Sequence, residues 1–140
     1  MIVDDNPDHV EMLQRFLADE ATAMRGLTDS AQAERIFQEF EPDIVLLDLH
    51  MPNPDGLELL RRLRGPRTAL GFLPVIVLTG DVGKTARDSA LILGADDFLT
   101  KPLDRREVVL RVRNLLRTRQ LYAELAEANQ ALERRLRPGN

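Results

Sequence analysis

Three carboxylates, a hydroxyl and an amine stand out in this 140-residue chain: Asp4 and Asp5, Asp48, Thr79 and Lys101, each at the close of a short, largely apolar run. Brought together, three carboxylates repel one another, and a hard divalent cation relieves that repulsion. A few carboxylates with waters and phosphate oxygens is the usual way Mg²⁺ is held. A hydroxyl and an ammonium facing them suit a phosphoryl group bridged to the metal. Each residue also has a plainer reading. Asp48 and Thr79 could cap strand ends or the next helix, Asp4 and Asp5 could serve a helix dipole, and Lys101 could be a solvated lysine.

The elements that must position these groups follow from hydrophobic pattern. Ile44-Val45-Leu46-Leu47 and Pro74-Val75-Ile76-Val77-Leu78 have no polar alternation, which marks strands buried on both faces of a parallel sheet. Met1 to Val3 form a first strand, shorter than the usual five or six residues. Ala21 to Leu27 is a weak candidate, and Asp97 to Thr100 is a short fifth strand. Helices are predicted between them. The first is capped by Asn6-Pro7-Asp8 and runs to about Asp19, with Val10, Leu13, Phe16 and Leu17 inward. The second follows Thr28-Asp29-Ser30, with Ala33, Ile36, Phe37 and Phe40 as its stripe. The third spans Gly56 to Arg64, with Leu57, Leu60 and Leu63 inward and Arg61, Arg62 and Arg64 outward, and Gly65-Pro66 ends it. The fourth runs from Lys84 to Leu93, with Gly94 as a left-handed cap, and a long fifth begins near Asp104. Strand and helix alternate five times, so the strand ends converge on one edge of a parallel sheet.

Bulk properties narrow the class. The chain has no cysteine, hence no disulfide or thiolate ligand, which fits a reducing cytoplasm. It shows neither a signal-peptide pattern at its start nor an apolar run of membrane-spanning length, and a soluble cytoplasmic protein is expected. Residues 104–140 hold nine arginines against five acids, whereas residues 1–103 hold ten basic and eighteen acidic residues. An acidic body, in a chain with five Phe, one Tyr and no Trp, is a poor nucleic-acid surface. The two histidines are too few for a histidine-based metal site, and His9 falls on a polar helix face, where it is expected to be exposed.

Together, the pair Asp4-Asp5, the segment Asp48-x-x-Met51-Pro52-x-x-x-Gly56, Thr79 before a small residue, and Lys101-Pro102 resemble the receiver domain of two-component response regulators, over roughly residues 1–118. The resemblance implies a flavodoxin-like (βα)₅ doubly wound α/β sheet of strand order 2-1-3-4-5. It implies that Asp48 accepts a phosphoryl group from a sensor histidine kinase or phosphotransfer protein. Asp5 would be a direct Mg²⁺ ligand, with Asp48 and the backbone carbonyl of His50, and Asp4 a water-mediated one. Thr79 and Lys101 would hold phosphoryl oxygens. Thr79 and Phe98 would form the conformational switch, Lys101–Pro102 would be cis, and His50 and Asp81 would flank the attacking water. Such a domain is not a metabolic enzyme; it catalyses only its own phosphotransfer and dephosphorylation. The competing reading is a phosphorylation-independent pseudo-receiver that serves as a dimerisation module, favoured if the short first strand misplaces Asp5.

Two enzyme motifs fail on spacing. Gly80-Asp81-Val82-Gly83-Lys84-Thr85 has two residues between its glycines where a P-loop has four. Asp48-Leu49-His50 lacks the second aspartate of haloacid-dehalogenase phosphatases. The last helix runs past the receiver into a linker, residues 119–140. Leu115, Tyr122, Asn129 and Leu136 recur every seven residues, interleaved with Thr118, Leu125 and Leu132. This is an a/d seam on which a homodimeric coiled coil is expected, with Asn129 able to fix register. A single amphipathic helix is the alternative. Leu121 to Leu136 resembles linkers that precede HD-GYP phosphodiesterase domains, implying an output domain beyond this chain.

Overall fold

A computed structural model describes residues 1–64, 72–80 and 84–139. Five parallel strands, β1 (Ile2–Val3), β2 (Gly26–Leu27), β3 (Val45–Asp48), β4 (Val75–Thr79) and β5 (Asp97–Thr100), lie in the order β2-β1-β3-β4-β5. The helices are α1 (Pro7–Phe16), α2 (Ala33–Phe40), α3 (Gly56–Leu63), α4 (Lys84–Ile92) and α5 (Arg105–Leu136), with a 3₁₀ turn, Ser30–Gln32, before α2. The predicted sheet and its order are observed.

Both faces of the sheet are buried, which is why β3 and β4 read as unbroken apolar runs. Val45, Leu47, Val75 and Val77 pack under Ile36 of α2 and Leu59, Leu60 and Leu63 of α3. Leu46, Ile76 and Leu78 face the other way, onto Val10 and Leu13 of α1 and Val108 and Val112 of α5. The inward stripe of α3 differs from the expected one: Leu59 is fully buried while Leu57 is only partly covered. Arg61 and Arg62 point outward, but Arg64 folds back, donating to the carbonyls of Gly94 and Leu73 and pairing with Asp96. Gly65-Pro66 lies outside the described residues.

Other boundaries are shorter than predicted. α1 stops at Phe16 and turns through Glu20. Of the Ala21–Leu27 stretch only Gly26–Leu27 pairs as a strand, because the residues before it have little apolar surface to commit. β1 is just two residues, yet its alignment continues beyond them. Ile2 N donates to Arg25 O (2.8 Å), Leu46 N to Met1 O (2.9 Å) and Asp4 N to Leu27 O (3.0 Å). Gly94 has φ +99°, the left-handed cap expected. Lys101–Pro102 is cis, as is Asn53–Pro54, for which the sequence held no signal. Among the described residues no helix is long and apolar enough to cross a membrane.

Candidate functional site

Register places the site. Val3 lies opposite Leu47, so Asp4 comes level with Asp48 on the neighbouring strand; Asp48 lies opposite Leu78, and Thr79 opposite Thr100. Strand ends 97 positions apart in sequence, at Asp4 and Lys101, thereby meet. Ligand oxygens of Asp4, Asp5 and Asp48 all lie within 4.8 Å of one another.

The three carboxylates have different surroundings. Asp4 is fully buried. Its Oδ1 accepts from Asn6 N at 3.0 Å, and its Oδ2 accepts from Lys101 Nζ at 2.9 Å. Asp5 is exposed. Asp48 is buried, with Oδ1 taking His50 N at 3.3 Å and facing Lys101 Nζ at 3.4 Å. Burial raises the Asp48 carboxyl above the ordinary carboxylate range, the Asp4 charge raises it further, and Lys101 opposes both.

The loop after β3 is fixed from several sides. Asp55 caps α3 by accepting from Glu58 N (2.8 Å), and Ser30 Oγ donates to Pro52 O (3.0 Å). Gly56 is required by close approach: a Cβ there would sit 2.2 Å from the Asp48 carbonyl oxygen and 2.4 Å from Leu49 Cα. The first turn of α3 thus rests directly on the strand end that carries Asp48.

Thr79 is buried, and the ring Nε2 of His50 lies 3.3 Å from its Oγ1. Phe98 is half-buried under the guanidinium of Arg87, 3.8 Å from the ring centroid. Asp81 lies outside the described residues.

At the site, one residue was misread from the sequence. His9 is not a freely exposed residue on a polar face: its side chain is 35 % exposed, and Nδ1 lies 3.0 Å from Lys101 Nζ and 3.3 Å from Asp4 Oδ2. A usable signal existed. Helical side chains lean toward the helix N-terminus and cover the preceding turn, so a residue three past the Asn6 cap leans back over Asp4 and Asp5.

The family model for the response regulator receiver domain matches residues 1–113. The chain belongs to this family. The TorCAD operon transcriptional regulatory protein TorR of Escherichia coli is 38% identical over 116 residues, 83% of this chain and 49% of TorR. The transcriptional regulatory protein AruR of Pseudomonas aeruginosa is 38% identical over 138 residues, 94% of this chain and 55% of AruR. The chain therefore spans about half the length of the curated relatives it matches. Among solved structures, a putative response regulator from Chloroflexus aurantiacus superposes with a TM-score of 0.75 at 31% identity, covering 82% of this chain and 93% of that one. NtrX from Brucella abortus does so with a TM-score of 0.80 at 28% identity, covering 91% of this chain and 29% of NtrX. Receiver domains typically bind Mg²⁺ at an acidic pocket. The donor set of this receiver fits that ion, since the converging ligands are carboxylate oxygens alone.

Proposed function

We propose that this receiver domain accepts a phosphoryl group on Asp48 from the phosphohistidine of a sensor kinase or phosphotransfer protein. The observation that carries this reading is the convergence of Asp4, Asp5 and Asp48 with Lys101 between Asp4 and Asp48. A carboxylate oxygen of Asp48 attacks phosphorus, and the phosphorus–nitrogen bond breaks with its electron pair returning to the donor imidazole. Lys101 holds one phosphoryl oxygen by its charge, and the Thr79 hydroxyl donates to another. Asp5, Asp48 and the backbone carbonyl of His50 would hold Mg²⁺ directly and Asp4 through water; the ion, when bound, supplies charge neutralisation at the carboxylates and the phosphoryl oxygens.

Phosphorylation biases a switch. The Thr79 hydroxyl exchanges its place beside the His50 ring for a phosphoryl oxygen, and Phe98 leaves Arg87 to turn inward. The change passes to an output module along α5, whose residues 121–136 are exposed throughout. A lone helix of that length is marginal in water, so the part of its seam beyond Tyr122 (Leu125, Asn129, Leu132 and Leu136) pairs with a second copy.

Acetyl phosphate with Mg²⁺ should give one acid-stable, base-labile phosphoryl adduct by mass, absent in Asp48→Ala and not formed when Mg²⁺ is chelated beforehand. A wild-type protein that takes no adduct is a pseudo-receiver instead. Sedimentation should show a dimer that dissociates in Leu125→Asp/Leu132→Asp; a wild-type monomer removes the coiled coil.

A further inference from the structure

Lys101 Nζ has three neighbours: Asp4 Oδ2 at 2.9 Å, His9 Nδ1 at 3.0 Å and Asp48 Oδ1 at 3.4 Å. An ammonium has three hydrogens and no acceptor. The nitrogen 3.0 Å away must therefore present a lone pair, and the ring hydrogen of His9 is on Nε2. An Nδ1 hydrogen directed at Asp4, 3.3 Å away, would instead set donor against donor at the shorter distance. Asn6 Nδ2 approaches Nε2 only at 3.5 Å, at the limit of a hydrogen bond, while the Asn6 side-chain oxygen caps α1 at Asp8 N. The shorter, charge-assisted contact decides the tautomer.

We propose that His9 is a positioning residue for Lys101, resting on the reading of Asp48 as phosphoacceptor. Lysine is a flexible point charge on a four-carbon stem. With one hydrogen on Asp4 and one on His9, the third is aimed at Asp48 and at the phosphoryl oxygen that arrives there. His9 can serve as a fixed acceptor because it sits in the first turn of α1, whose entry is set by the Asn6 cap and Pro7. Without His9 the ammonium would be held by Asp4 and by the longer contact to Asp48.

The test compares wild type, His9→Leu and His9→Asn, all as the full chain. Asparagine places an oxygen where Nδ1 stands; leucine fills the volume without an acceptor. The rate of adduct formation from acetyl phosphate should fall about five- to tenfold in His9→Leu, the worth of one net hydrogen bond. It should return to within about twofold in His9→Asn, with calorimetric Mg²⁺ affinity the same in all three. Nitrogen-15 shifts of the unphosphorylated wild type should show a proton on Nε2. Unchanged rates in His9→Leu, failure of His9→Asn to rescue, altered Mg²⁺ affinity, or a proton on Nδ1 would each overturn the positioning role while leaving Asp48 as acceptor. No adduct on wild type overturns the phosphoacceptor reading, and the positioning role with it.

Discussion

At their carboxyl ends β3 and β4 deliver Asp48 and Thr79 into a site built on buried charge; at their amino ends they begin near Asp43 and Phe72, where the far half of α5 is tethered by contacts open to water. The cations are similar, Lys101 19 % and Arg119 23 % exposed, but Asp4 is wholly buried whereas Asp43 is 74 % exposed. Arg119 Nε donates to Asp43 Oδ1 at 3.1 Å and its guanidinium also reaches the Phe72 carbonyl, while the rings of Phe72 and Tyr122 lie 5.0 Å apart. A groove of about 440 Å³ runs between helix and body there. The difference is one of dielectric. Breaking a buried pair strands a charge, whereas breaking an exposed one returns both groups to water. The site end should therefore be costly to disturb, and the tether end should yield easily.

The largest effect is expected where buried charge loses its counter-charge. Lys101→Met leaves Asp4 and Asp48 facing each other uncompensated, and should lower stability by about 3 kcal/mol in urea without divalent cation. Added Mg²⁺ should restore part of the loss by binding the folded state alone. A loss no greater than that of an exposed pair would erase the contrast between the two ends.

These ends were not equally legible in sequence. The carboxyl edge was readable because unbroken runs such as Val75 to Leu78 mark interior strands, and parallel pairing then forces Asp48, Thr79 and Lys101 together. Asp4 and Asp5 were harder, since β1 is two residues long and the neighbouring chain completes its alignment through Leu46 N and Asp4 N. Leu59 was passed over for Leu57 because a short helix between a sheet and its neighbours buries a wider arc than one ridge. Contacts such as Arg87 over Phe98 and Arg119 on Asp43 depend on how far a long side chain reaches across elements, which periodicity does not encode. The His50–Thr79 approach, 29 residues apart, was invisible for the same reason.

A smaller effect of opposite sign is expected at Asp48 itself. Its carboxyl is raised in the folded state by burial and by Asp4, so the native protein binds the proton more readily than the unfolded chain. Stability must then fall as pH rises from the ordinary carboxylate range through the raised value, with the full burden present above that window and none below it. Asp48→Asn removes the burden. Without divalent cation it should be more stable than wild type near neutral pH, the gap closing as pH falls through the window. Urea midpoints measured against pH would show this; a gap constant in pH would mean that charge at Asp48 is not the cause.

The smallest effects should come from the tether. Arg119→Ala removes an exposed ion pair and one bond to a carbonyl, and should cost no more than about 1 kcal/mol, less at high salt. Tyr122→Ala loses the aromatic contact with Phe72 and should cost about as much. Neither reaches the core under Val108 and Val112, so urea unfolding of the body should hardly change. Amide hydrogen exchange is the sharper measurement. In both variants protection should drop around residues 119–122, where α5 leaves the body, while β3 and β4 keep theirs, because the tether opens locally. Loss of protection spreading into β3 and β4 would mean that the tether braces the sheet, and that α5 moves with the body as one unit.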